Sequence, residues 1–369
     1  MRTNGALVER IIDARAPSPA NPHAWETPIL SIAIWLAKRL NLVPVPLLDV
    51  QIQMGCARAI IDANEIGVFA ALASEPRGLT IADLAQAVTI SPTAAAVLLD
   101  VLLASGYVRR RGDHYTNGPW VKKWITDPAT GIPHVLMLQG HAWGRLSDLA
   151  ATLRTGRPAI DYHQSLVAEP SEKQAAYTRA MEEISRWILP KFLKRIAIPS
   201  QAKRLLDLGG AHGNYGLAVA RRFPGLRPTV LDLGGPIATA REMRLRRGSA
   251  DDIDFVVGDI LQDDLGDDWD VILYNNMIHL FTSQQNREIL SRVYDALRPD
   301  GVLAIQDQFL GIGRFQDRLA AFTSLNYFTV GGRSYRIKET HELLRNTGFL
   351  RIKTKPYPAS PTALILAWK

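Results

Sequence analysis

Three aspartates and a glycine turn carry the first chemical signal in this 369-residue chain. The stretch LLDLGGAHGNYG, Leu205–Gly216, ends an apolar run in Asp207 and follows it with Gly209, Gly210 and Gly213. A dinucleotide fingerprint would read G-x-G-x-x-G, and here Ala211 stands in place of the middle glycine. An acid on the strand just before the turn would repel a pyrophosphate at the helix N-terminus; it suits a cation. The glycines let the backbone approach a ligand closely. Asp232 ends the next apolar run, PTVLDL, where a carboxylate can accept both hydroxyls of a ribose. Asp259 ends the following one, VVGDI, where an adenine amino group would lie, with Ile260 beside the ring. One such aspartate is an ordinary turn residue or helix cap. Three at successive strand ends, the first followed by glycines, point to a ligand with cationic groups, a ribose and an adenine. S-adenosyl-L-methionine has all of these.

The elements that must hold these residues follow from the pattern around them. From Ala202 onward, short apolar strand candidates (RLLDLGG, RPTVLDL, IDFVVGDI, WDVILYNNM, GVLAIQDQF) alternate with helix candidates (NYGLAVARRF, PIATAREMRLR, QQNREILSRVYDAL). Such alternation predicts an α/β, Rossmann-like, doubly wound sheet over 201–369. FLRIKTKPYP and TALILAWK read as two further strands, an antiparallel edge pair. Segment 131–200 reads as a helical linker, with Pro190 marking a kink or break in its long amphipathic helix.

Segment 46–130 reads as a mostly helical, winged-helix module. GCARAIIDANEIGVFAALAS has helical spacing. TIADLAQAV starts with Thr80 as N-cap and Asp83 in a capping-box position. SPTAAAVLLDVLLASG starts with Ser91 and Pro92 and closes at Gly106. YVRRRGDHYTNG gives a short strand pair around Gly112-Asp113. A recognition helix in a DNA groove needs exposed Arg, Lys, Asn or Gln. SPTAAAVLLDVLLASG offers none and reads as a helix built to be buried, which favours dimerisation over nucleic acid. Residues 1–45, with five prolines and the apolar run ILSIAIWLAKRL, read as an N-terminal extension of the dimer interface.

Composition describes an ordinary soluble globular protein: 47% hydrophobic residues, and a net charge of +7 dispersed over short clusters such as Arg109–Arg111 and RLRRG. The single cysteine, Cys56, cannot form an internal disulfide, and no signal peptide or long apolar span is evident, so a cytoplasmic location is expected. No metal-ligand spacing, G-x-S-x-G elbow or Walker loop occurs.

At residues 50–369 the chain resembles the small-molecule O-methyltransferases of the class I S-adenosylmethionine-dependent fold. This family includes caffeic acid O-methyltransferase and many bacterial natural-product enzymes. LLDLGGAHGNYG, TVLDL, VVGDILQDDL, NNMIHLFTSQQNREIL, ALRPDGVLAIQDQ and GGRSYRIKETHELLRNTGF carry the resemblance. It implies an N-terminal all-helical winged-helix domain serving homodimerisation. It implies Asp207, Gly209, Gly210 and Gly213 at the methionine and ribose side of the cofactor. Asp232 and Leu233 would hold the ribose and one adenine face, and Asp259 and Ile260 would frame the adenine. Asn275 stands where plant members have a lysine near the cofactor. His279 stands at the family's catalytic base, and Asp307 at an acid that orients it. The acceptor pocket would draw on Met181, Trp187, Trp143, Leu325, Asn326 and Thr329, its apolar character suiting an aromatic or polyketide-like small molecule.

In-line transfer of a methyl from a sulfonium mainly needs alignment. A phenol with a pKa near 10 is mostly protonated at neutral pH, and a histidine at hydrogen-bond distance removes that obstacle. Two departures stand out. Leu280 and Phe281 replace an Asp-Trp pair of plant members, and Ser334 in GGRSY replaces a second acid. Relatives that use the cofactor for C- or N-methylation, or for non-methylating chemistry, remain alternatives, as does a winged-helix, ligand-responsive transcription regulator.

Overall fold

A computed structural model of the chain describes residues 36, 37, 40, 42, 44–158, 160, 172–248 and 252–369. The chain divides after Ala59 into two compact units, Met1–Ala59 and Ile60–Lys369. Of the expected extension 1–45, only positions 36, 37, 40, 42, 44 and 45 are described, so its role and most of ILSIAIWLAKRL lie outside the described residues. The first unit holds a π-helical stretch, Leu48–Ile52, that runs into α1, Gln53–Glu65, and the division falls within that helix.

The second unit opens with the winged helix. Gly67, at φ 88°, splits the expected single helical run into α1 and α2, Val68–Ser74. In α3, Ile81–Ala87, Thr80 Oγ1 accepts from the Asp83 amide at 3.2 Å, and the Thr80 amide donates back to the Asp83 carboxylate at 3.4 Å. Ser91 caps α4, Pro92–Ala104, with Pro92 at its first position. The two helices meet at 108°, within the range of helix-turn-helix pairs. Strands β1, Val108–Arg111, and β2, His114–Asn117, form the wing, with Arg111 opposite His114. The module is therefore not all-helical. Nor is α4 wholly buried: Ala95, Leu99 and Leu102 face the core, while Val97 is 63% exposed on the opposite side.

Helices α5 (Pro119–Trp124), α6 (Pro133–Ser147), α7 (Leu149–Thr155) and α8 (Glu172–Leu193) follow. Pro190 does not break α8, which runs on through it to Leu193.

The sheet contains β3 (Arg204–Leu208), β4 (Arg227–Asp232), β5 (Asp254–Val257), β6 (Trp269–Leu273), β7 (Leu297–Gln308), β8 (Arg351–Pro356) and β9 (Thr362–Trp368). Their order is β5-β4-β3-β6-β7-β9-β8, parallel through β7. The expected C-terminal pair is antiparallel, and β9 inserts between β7 and the edge strand β8. All five residues of β6 are buried, as are four of five in β3; central strands covered on both faces read as unbroken apolar runs. The side-chain alternation of strands builds two cores. Leu206, Leu208, Ile272, Leu303 and Ile305 pack toward α11 (Ser283–Ala296) and α13 (Ile337–Thr347). Leu205, Val271, Leu273 and Leu364 pack toward the end of α8 and toward α9, Asn214–Arg222. Helices α10 (Gly234–Arg246) and α12 (Arg314–Phe328) complete the unit. Among the described residues no single helix is long and apolar enough to cross a membrane.

Candidate active site

The glycine turn closes at the carboxyl end of β3 because three of its positions need unusual backbone. Gly209 and Gly213 adopt φ 67° and 72°, and Ala211 between them adopts φ 38°. Space is as restrictive as φ: a Cβ on Gly210 would lie 2.5 Å from Asp207 Cγ, and one on Gly209 2.5 Å from Met277 Cε. The turn thus folds back on its own acid. Asp207 is 1% exposed; its Oδ2 accepts from the Gly216 amide at 2.9 Å, in the first turn of α9. Asp232, at the end of β4, accepts from the Ala211 amide at 2.8 Å and from the Leu233 amide at 2.7 Å. Asp259 accepts from the Leu261 amide at 2.9 Å, so it caps its own turn as well.

These residues border one cavity. Asp207, Gly209, Gly210, Asp232, Leu233, Asp259, Ile260, Asn275 and Met181 all line it. Gly213 shapes the turn behind it. Among the described lining residues the charged groups are three aspartates, with no lysine or arginine. Burial pushes the Asp207 carboxyl up to about 7, with the nearby Asp232 charge adding to the shift against the Gly216 amide. Burial pushes Asp232 up to about 6 and His212, also in the wall, down to about 4, so His212 is neutral at pH 7.

Three buried polar atoms at this wall have no hydrogen-bond partner: Asp207 Oδ1, Asn275 Nδ2 and Thr178 Oγ1. The Gln306 amide donates to Asn275 Oδ1 at 3.2 Å, which leaves Nδ2 as the free end. An orphaned buried polar group costs about 1–3 kcal/mol, so an acceptor and two donors left open together mark a ligand site. A carboxylate acceptor beside neutral donors matches the ammonium and carboxylate of an amino-acid group, as S-adenosylmethionine carries. Thr178 was not foreseen, although it lies one helical turn before Met181 on α8 and shares its face.

His279 sits on the 3-10 turn Ile278–Leu280, beyond β6. It is 4% exposed, and its Nδ1 lies 2.8 and 2.9 Å from the two oxygens of Asp307, on β7. An ionised carboxylate only accepts, so Nδ1 carries the proton and Nε2 is left as the basic nitrogen. The next two residues, Leu280 and Phe281, line the cavity. Tyr327, on α12, stacks on the imidazole at 3.8 Å and 13°. Nothing local in the sequence signalled Tyr327, because the stack exists only once α12 docks.

The remaining acceptor residues separate into two groups. Asn326 and Thr329 flank Tyr327 and receive Arg145 of α6 at 3.5 and 3.4 Å. Trp143 is half-buried on α6, and Leu325 is 39% exposed on α12. None of these four lines the cavity. Trp187 is placed elsewhere: it is 65% exposed and meets Trp124 edge-on at 5.5 Å. Six residues beyond Met181, it points about 240° round the helix. Ser334, in place of the second acid, is buried and bonds the Ala320 carbonyl at 3.3 Å.

The chain is similar to known proteins over most of its length. Residues 147–350 match the O-methyltransferase domain family, and residues 66–112 match the IclR helix-turn-helix domain. The chain is 26% identical over 324 residues to the tetracenomycin polyketide synthesis 8-O-methyl transferase TcmO of Streptomyces glaucescens, covering 84% of this chain and 92% of TcmO. The structure of the mitomycin 7-O-methyltransferase MmcR superposes with a TM-score of 0.79 at 25% identity, over 92% of this chain and 99% of MmcR. Human N-acetylserotonin methyltransferase in complex with S-adenosylmethionine superposes with a TM-score of 0.74 at 24% identity, over 90% and 97% of the two chains. The chain belongs to the O-methyltransferase family. It is an S-adenosylmethionine-dependent enzyme that methylates a hydroxyl group.

Proposed function

We propose that the acceptor is a phenolic hydroxyl of an aromatic or polyketide-like small molecule, with His279 as general base and Asp307 as the residue that orients it. The observation that carries this reading is the 2.8 Å contact between His279 Nδ1 and Asp307, beside the cavity wall made by Leu280 and Phe281. Asp307 fixes the imidazole tautomer, and Nε2 takes the acceptor's proton as the hydroxyl oxygen gains its methyl. S-adenosylmethionine, when bound, supplies a methyl already activated by a sulfonium. Asp207 would hold its ammonium, Asp232 its ribose hydroxyls, and Asp259 and Ile260 its adenine; Asn275 and Thr178 would donate to its carboxylate. Met181, Tyr177, Leu280 and Phe281 exclude water from the reacting atoms. Relatives named for polyketide and naphthoate O-methylation support the acceptor class.

The winged helix acts in homodimerisation, with the enzyme working in the cytoplasm. The exposed side of α4 supports this over DNA reading: it presents Thr93, Ala94, Val97, Asp100 and Ala104, without a basic or amide side chain. Sedimentation of the full chain checks the dimer.

Titration calorimetry with S-adenosylmethionine on wild type and Asp232→Ala tests the cofactor half. Binding by wild type that is lost in the variant is expected, and no binding by wild type overturns the reading. The acceptor half is tested by methyl transfer to a panel of hydroxylated naphthalenes and anthraquinones, read by mass. Transfer that His279→Ala abolishes is expected, and transfer that survives it removes the base.

A further inference from the structure

The turn that carries His279 is three residues long, and such a turn supplies few hydrogen bonds of its own. Asn286, in the first half of α11, bonds to both sides of it. Asn286 has no solvent exposure. Its Nδ2 donates to the Ile278 carbonyl at 2.9 Å and to the Phe281 carbonyl at 3.1 Å, the residues immediately before His279 and two beyond it. Nδ2 also lies 3.1 Å from the Tyr335 hydroxyl, which itself donates to the Phe281 carbonyl at 2.8 Å. On its other side, Asn286 Oδ1 accepts from the Tyr274 hydroxyl at 2.9 Å. Tyr274 follows β6 and Tyr335 precedes α13, and both rings are fully buried.

One amide thus ties three segments of the chain to the two ends of the His279 turn. The middle of that turn is held separately: the His279 carbonyl accepts from the Arg333 amide at 2.9 Å. None of Asn286, Tyr274 and Tyr335 lines the cofactor cavity. Their side chains serve the turn and each other. A fully satisfied buried polar network fixes one arrangement, because leaving any member unpaired in a low-dielectric interior is costly. The arrangement fixed here is the one that keeps His279 Nδ1 on Asp307 and its ring on Tyr327.

We propose that Asn286 is a positioning residue for His279, acting with Tyr274 and Tyr335 to hold the imidazole in the tautomer with Nδ1 protonated and Nε2 bare. This rests on the reading of His279 as the base. The device needs no contact with either substrate. It makes the base ready before the acceptor arrives, so its loss frees the tautomer while cofactor binding is spared.

The test uses the full chain labelled with 15N-histidine, and the His279 ring signals are identified by their loss in His279→Ala. Wild type is expected to show a single tautomer protonated on Nδ1. Asn286→Ala is expected to show both tautomers in exchange, with affinity for S-adenosylmethionine by calorimetry within twofold of wild type. Tyr335→Phe keeps the ring and removes one hydroxyl, so it decides the matter where Asn286→Ala does not fold; mixed tautomers are expected there too. Variants that bind the cofactor normally and retain the single Nδ1 tautomer overturn the proposal and leave the base reading intact. Mixed tautomers in wild type overturn it as well. An unchanged transfer rate in His279→Ala removes the base reading, and the proposal with it.

Discussion

Cofactor affinity should rise with pH through neutrality, and the cause is Asp207. Its carboxyl is pushed up to about 7 by burial. A protonated Asp207 presents no charge to a cationic ligand, so binding must first remove its proton. With a pKa of 7, about 9% of the carboxyl is ionised at pH 6 and about 91% at pH 8, a tenfold change in competent protein and about 1.4 kcal/mol of apparent affinity. Asp232, pushed up to about 6 on the neighbouring strand, adds about a factor of two at the acid end. The other titratable groups facing Asp207 do not interfere. His212, pushed down to about 4, stays neutral across this range, and Tyr215, pushed up to about 12, stays protonated. Calorimetry with S-adenosylmethionine at pH 6, 7 and 8, in two buffers of different ionisation enthalpy, reads both affinity and protons released. Release, summed over Asp207 and Asp232, should fall from about 1.4 protons at pH 6 to about a tenth at pH 8. Asp207→Asn should bind weakly and lose the Asp207 part of the slope. Affinity constant within twofold from pH 6 to 8, or a slope that Asp207→Asn leaves intact, would refute the argument. The same shift has a stability sign. Between the ordinary 3.8 and 7, the folded ligand-free protein holds a proton that the unfolded chain has released, so its stability falls as pH rises through that window.

Three further outcomes are expected. His279→Ala should lower kcat by roughly 10^2–10^4 while leaving the dissociation constant of S-adenosylmethionine within twofold, measured by steady-state rates and calorimetry. Gly332→Ala would drive a Cβ into the His279 carbonyl; urea denaturation should show a loss of about 1–3 kcal/mol, with transfer falling beyond what the loss of folded protein explains. Trp187→Ala should leave transfer and cofactor affinity unchanged and cost at most about 1.5 kcal/mol, the size of an aromatic pair, with Trp124; a raised KM for the acceptor would put Trp187 back in the pocket.

The parts of the site visible in the sequence were those whose meaning is local. An aspartate at a strand end followed by glycines has one short loop to define it, and Asp207, Asp232 and Asp259 fell where the pattern placed them. The caps at Thr80 and Ser91 were equally legible, each depending on residues three positions apart. Gly67 was missed because helical apolar spacing runs through it, and only its positive φ ends the helix. Trp187 was misplaced because an aromatic residue near Met181 in sequence need not share its face. Tyr327 and Asn286 carry no signal at all: one acts by stacking across from another helix, the other by bonding two carbonyls and two tyrosines drawn from segments up to 49 positions away. Long-range partners of this kind are set by docking, which a single sequence does not display.

The insertion of β9 bears on the order of events during synthesis. Asp307 pairs in register with Ala363, so one flank of the strand that carries it stays open until residues 362–368 have left the ribosome. Until then β7 offers a long apolar edge, VLAIQ, of the kind that recruits neighbouring chains. A nascent chain stalled between Gln308 and Thr362 would hold the whole cofactor turn yet leave the strand that carries Asp307 open on one flank. Protection of the β7 edge should therefore be needed until β9 pairs with it, and the strand that carries Asp307 is complete only then.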